Sequence, residues 1–138
     1  MVARPFAIAA AASLVALAGS AGGSGAVPPG STARTVNHFT GTWKGNDGAT
    51  YYIRQVGSSV YWAGLSGTPS TSTFGSSFTN VFTGTWYRDG TIRGKWADVP
   101  RGQILGSGTL VLRVQSSCVL TKTSETGSRF GGSSWRKC

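Results

Sequence analysis

From Phe39 to the C-terminus, large apolar residues recur at every second position. That spacing belongs to a strand with one buried face. Phe39, Gly41 and Trp43 alternate with Thr40, Thr42 and Lys44, and Ala49, Tyr51, Ile53 and Gln55 alternate with Thr50, Tyr52 and Arg54. Val60, Trp62 and Gly64 continue the pattern; then Phe78, Asn80, Phe82, Gly84 and Trp86; then Ile92, Gly94, Trp96 and Asp98; then Gly108, Leu110, Leu112 and Val114. Shorter runs over Val119–Lys122 and Phe130–Arg136 complete about eight predicted strands. Asp47-Gly48 and Asp89-Gly90 suit tight hairpin turns, and Gly57-Ser58 turns the chain between them. Residues 65–77 and 99–106 read as longer polar loops. No segment after Ser20 carries a helical period.

These features predict an all-β chain. Sequential hairpins with one apolar face close most economically into an antiparallel up-and-down barrel, which leaves no open edge. A β-sandwich is the alternative. Gly41, Gly84 and Gly94, each mid-strand on the inward face, suit strongly coiled strands around a narrow barrel. Composition agrees: aromatics reach 11% while charged residues are only 12%. That balance excludes a disordered charged chain and disfavours a helical bundle.

The first 26 residues read as a secretory signal peptide, with Arg4, an apolar run from Phe6 to Ala18, and small residues that place cleavage after Ala21 or Ala26. The apolar run is too short to cross a bilayer, so no stable membrane insertion of the mature chain is expected. Residues 27–37 read as a flexible lead-in and residues 38–138 as the barrel domain. In an exported, extracellular protein, Cys118 and Cys138 are expected to pair as a disulfide. The reading leaves the oligomeric state open.

Catalysis is hard to assemble from these residues. His38 is the only histidine and stands at the ragged start of the domain, so neither a Ser-His-Asp arrangement nor a metal site is expected. Asp47 and Asp89 are explained by turn chemistry, and Glu125 falls in a polar stretch that reads as a loop. Asp98 follows an inward face, where it caps the Val99-Pro100 turn, pairs with Arg101 or serves a site. No phosphate-binding or dinucleotide fingerprint is present. No cofactor is expected, and the chain reads as a non-enzyme.

Binding is easier to build. Trp43, Trp62, Trp86 and Trp96 fall on inward faces beside Tyr51, with the polar Gln55 and Asn80 among them. Together with Asp98 they form the candidate ligand set: a tryptophan-lined interior or mouth for a small apolar or amphipathic molecule. Filled-core packing is the competing account of the same residues. The rival function lies outside the barrel. The chain carries a formal charge of +9, and Arg88, Arg93 and Lys95 sit on or beside one outward face. Such a face suits anionic polymers, whether acidic glycans, wall polymers or nucleic acid. Tyr52 or Tyr61 would lend an aromatic surface.

At Gly41-Thr42-Trp43 followed by Gly48-Ala49-Thr50, the chain resembles the first hairpin of avidin-like barrels. These are secreted, eight-stranded, tryptophan-lined and related in shape to lipocalins. The resemblance covers residues 38–64 in detail and the rest in rhythm. It implies a calycin-type barrel that binds a small molecule. Gly45 stands where that family carries an Asn that contacts the biotin ring system, and Ala49 where it carries a Ser. The resemblance therefore implies the architecture and argues against biotin, because a site built on hydrogen bonds loses heavily without them.

Overall fold

In a computed structural model, residues 38–138 are described. The proposed signal peptide and lead-in lie outside these residues. Among the described residues, eight strands follow one another without a helix: β1 Gly41–Gly45, β2 Thr50–Val56, β3 Ser59–Leu65, β4 Thr79–Trp86, β5 Thr91–Asp98, β6 Ser107–Ser116, β7 Val119–Gly127 and β8 Ser134–Arg136. Each pairs antiparallel with the next, and β8 returns to β1. The sheet is a closed up-and-down barrel, which displaces the sandwich alternative.

The alternation read from sequence is the alternation of burial. Trp43, Tyr51, Ile53, Val60, Trp62, Phe82, Ile92, Trp96, Leu110, Leu112 and Leu120 point inward and are buried, while Tyr52 and Tyr61 remain outside. Paired glycines make the interior possible. Gly84 on β4 faces Gly94 on β5, and a Cβ on either would lie 2.6 Å from the Phe82 ring. With both bare, that ring lies over the backbone and stacks on Trp62, centroids 4.2 Å apart.

Three segments differ from the sequence reading. Strand β1 begins at Gly41 rather than Phe39, because the Phe39 backbone N–H donates to Gln55 Oε1 at 3.3 Å instead of joining the sheet. Strand β7 continues to Gly127, so Glu125 is a strand residue and not a loop residue. Its pairing with ten-residue β6 absorbs register shifts between Val111 and Leu112 and between Val114 and Ser116. Such bulges blur the alternation in the sequence. The last strand is only Ser134–Arg136, because Phe130 leaves the sheet path and is buried in the core cluster.

The connections segregate by end. The β2–β3, β4–β5 and β6–β7 turns lie at one end, and the longer loops 66–78, 99–106 and 128–133 gather at the other, with the β1–β2 turn. At the short-turn end, Phe39 plugs the barrel. It meets Trp86 edge-on at 5.3 Å and accepts the Trp43 indole N–H on its carbonyl at 2.8 Å. A Cys118–Cys138 disulfide ties the C-terminus to the β6–β7 turn there.

Candidate functional site

At the long-loop end the barrel opens into a cavity of about 260 Å³, lined by Tyr51, Phe78, Trp96 and Phe130 among its apolar walls and by Asp47, Asn80, Asp98 and Arg129 among its polar ones. Ile104 and Gly131 complete the rim. Each wall residue arrives by a separate local rule. Strand alternation aims Tyr51, Asn80, Trp96 and Asp98 inward. Asn80 and Asp98 are direct cross-strand partners at the loop end of β4 and β5. Gly64 gives the Tyr51 ring its space, since a Cβ there would lie 2.5 Å from it.

The loops are stitched together around the mouth. Asn46 Oδ1 accepts the backbone N–H of Ser133 at 2.9 Å and of Ser134 at 3.2 Å, and its amide donates to Ser133 Oγ at 2.7 Å. Lys122 donates to Glu125 at 2.7 Å and to the Phe130 carbonyl at 2.8 Å, while the Phe130 N–H donates to Glu125 at 3.0 Å. This clamp carries Phe130 into the barrel. Between the 66–78 and 99–106 loops, Arg101 donates twice to the Phe74 carbonyl. It does not pair with Asp98, whose Oδ2 accepts the Gly106 N–H at 2.8 Å. Asp98 thus closes the 99–106 loop at its far end rather than capping Val99-Pro100.

A directional network runs beneath the rim. The Trp62 indole N–H donates to Asn80 Oδ1 at 2.8 Å. The Asn80 amide and the Trp135 indole N–H face the Tyr51 oxygen, although the Trp135 N–H forms no full hydrogen bond. The Tyr51 hydroxyl donates to Asp47 Oδ2 at 2.6 Å, and Asp47 Oδ1 accepts the Ala49 N–H at 3.0 Å. Burial, with the neighbouring Asp47 charge and hydrogen bond, pushes the Tyr51 phenol well above its ordinary value. Burial also raises the Asp98 carboxyl, partly offset by the Gly106 N–H.

The candidate ligand set does not gather in one place. Tyr51, Asn80, Trp96 and Asp98 line the cavity. Trp62 lies in the core, contacting Tyr51, Phe82, Phe130 and Trp135 by its ring. Trp43, Gln55 and Trp86 belong to the plugged end. Gln55 is spent on the backbone, donating to the Gly57 carbonyl at 2.9 Å and accepting from Phe39. Of the basic set, Arg93 is paired with Asp89 and lies 4.9 Å from the Tyr87 ring centroid, while Lys95 projects outward from β5.

Sequence reasoning missed Asp47, Ile104, Arg129 and Phe130 as lining residues, and Trp135 as a fully buried one. Asp47 satisfied a turn pattern, which masked its second oxygen. Trp135 had a usable signal: a lone aromatic between Ser134 and Arg136 near a tethered terminus. Gly45 shows why the avidin arrangement does not fit here. A Cβ at that position would lie 2.3 Å from Asp47 Oδ1 and 2.7 Å from the Tyr51 ring. Those two groups occupy the space that a longer side chain would need.

The fold and its mouth define a small antiparallel closed β-barrel, compatible in form with the calycin type. Comparison of the chain with protein families, with curated proteins and with solved structures finds no match in any of the three.

Proposed function

We propose that this is a secreted, non-catalytic binding protein of the avidin and lipocalin kind, holding one small apolar or amphipathic molecule in the mouth of the barrel. The observation that carries this reading is the cavity of about 260 Å³ between Tyr51, Phe78, Trp96 and Phe130. An eight-stranded barrel has room for one small ligand, and aromatic walls with a few fixed polar groups are the common make-up of such sites. The disulfide is in keeping with an oxidising, extracellular setting. Native mass spectrometry of protein purified from its own culture medium tests the reading. A retained small molecule that is lost on Trp96→Ala supports it. A clean apo mass, together with tryptophan fluorescence indifferent to every small aromatic probe, refutes it.

A second reading draws on the outer face. Arg54, Tyr61, Thr83, Lys95 and Thr109 form one outward cross-strand row over β2 to β6. Tyr61, Val81, Thr83, Lys95 and Thr109 border an open depression of about 670 Å³. Arg54 and Lys95 are free of ion pairs among the described residues, so they, rather than Arg93, supply the charge for an anionic polymer. Retention on heparin that falls steeply with salt, and weakens in Arg54→Gln/Lys95→Gln, would favour it. Equal retention of that double variant removes it.

A further inference from the structure

The chain has four acidic side chains against thirteen Lys and Arg. Two of the four are neutralised, Asp89 by Arg93 and Glu125 by Lys122. The other two, Asp47 and Asp98, form no ion pair with any described cation, and both line the mouth cavity. In a strongly basic protein, both acidic side chains without an ion pair are therefore at one place. Arg129 also reaches the rim; it is exposed, as is Asp47, and its charge acts on Glu125.

Four aromatic rings line the same cavity, those of Tyr51, Phe78, Trp96 and Phe130, with Trp96 and Phe130 edge to face at 4.8 Å. Ring faces attract cations, more strongly where water is excluded. The cavity wall also carries one buried polar group left without a partner. Trp96, 5% exposed, has an indole N–H with no acceptor among the described residues. Asn80, 2% exposed, accepts the Trp62 indole N–H on Oδ1 and turns its amide toward the Tyr51 oxygen, so it is held at the cavity wall by two neighbours. A buried donor without a partner is uncommon in a finished core, and Trp96 lines this cavity.

Resting on the reading that the mouth holds a ligand, we infer that its ligand class is the small organic cation: a protonated amine on a compact aromatic or aliphatic body, with Asp47 and Asp98 as counter-charges and the four rings as its cage. The amine supplies the positive charge and further donors to two carboxylates that otherwise accept only from neutral groups. Burial already raises the Asp98 carboxyl, and a bound ammonium beside it would relieve that cost. A hydroxyl or carbonyl oxygen on the same molecule would satisfy the Trp96 donor.

Three probes of one shape separate the possibilities: 2-phenylethylamine, 2-phenylethanol and 3-phenylpropionate, titrated calorimetrically into the intact protein at neutral pH. The amine is expected to bind about tenfold tighter than the alcohol, the size of one charge-assisted hydrogen bond. The carboxylate is expected to bind least. Asp98→Asn should lower amine affinity about tenfold and leave the alcohol unchanged. Arg129→Gln should raise amine affinity. Asp47→Asn, which keeps the turn acceptor, repeats the test should Asp98→Asn fail to fold. Alcohol binding as well as amine, or amine binding indifferent to both Asn variants, overturns the cation inference while the cavity reading stands. Binding of none of the three overturns the cation inference and counts against the cavity reading as well.

Discussion

At one end of the barrel the connections are all short turns, and Phe39, Trp43 and Trp86 fill the space left between the strands. At the other end the loops are long, the lining mixes rings with carboxylates, and a cavity remains. Both ends are rich in aromatics, so ring content does not separate a filled core from a site. Hydrogen bonding does. At the plugged end polar side chains are spent on backbone, as with Gln55 on Phe39 and Gly57 and Lys137 on the His38 carbonyl at 2.8 Å. At the open end the Asp47 and Asp98 carboxylates and the Trp96 N–H are only partly spent or not spent at all.

The largest expected effect tests that contrast directly. Phe39→Ala or Trp43→Ala empties a packed volume and should cost about 3–5 kcal/mol in denaturant unfolding. Trp96→Ala should cost less, because its ring already borders open space and part of its packing is missing. If the Trp96 variant proves as damaging as the Phe39 variant, the two ends are equally packed and the contrast fails.

A second, smaller effect concerns the covalent tie. The Cys118–Cys138 bridge closes a loop of 20 residues at the plugged end. Opening such a loop should cost about 3 kcal/mol on the chain-entropy account. Reduction, or Cys118→Ser with Cys138→Ser, should lower Tm and loosen amide protection near β8 and Lys137, whose N–H donates to the Cys118 carbonyl at 3.0 Å. Protection in the loops around the mouth should change less, since Asn46, Arg101 and Lys122 hold them without the bridge. Uniform loss at both ends would show that the bridge stabilises the barrel as one unit.

How much of this was legible in the sequence divides along the same axis. The strands and the inward faces follow from period-2 alternation and Asp-Gly turns, because one buried face forces that pattern locally. The plug was half visible: Phe39 carried the right parity but was read as sheet, since alternation does not reveal where backbone pairing stops. The mouth was least legible. Asp98 and Asn80 were found by parity. Phe130, Arg129 and Ile104 reach the cavity from loops whose paths depend on distant hydrogen bonds such as Asn46 to Ser133, and no local pattern encodes them. Asp47 illustrates the limit further. One carboxylate serves a turn through Oδ1 and the interior through Oδ2, and the sequence signals only the first role.

The smallest expected effect lies in the Tyr51–Asp47 bond at the mouth. Tyr51→Phe removes a hydroxyl that donates to a carboxylate and should cost about 1 kcal/mol at neutral pH. Its pH dependence is more telling. The Tyr51 phenol is raised above its unfolded value, chiefly by burial and then by Asp47. Below about pH 10 neither the folded nor the unfolded chain gives up that proton. Above it, the unfolded chain releases the proton while folded Tyr51 retains it, so unfolding gains and stability falls as pH rises. Denaturant midpoints followed through the alkaline range should show this loss in the native sequence and a smaller loss in Tyr51→Phe, which has no proton to release there. Identical alkaline slopes in the two proteins would mean that water reaches the Tyr51 oxygen. The seal beneath the mouth would then be as open as the cavity above it, and the boundary between plugged and open ends would lie a full layer deeper in the barrel.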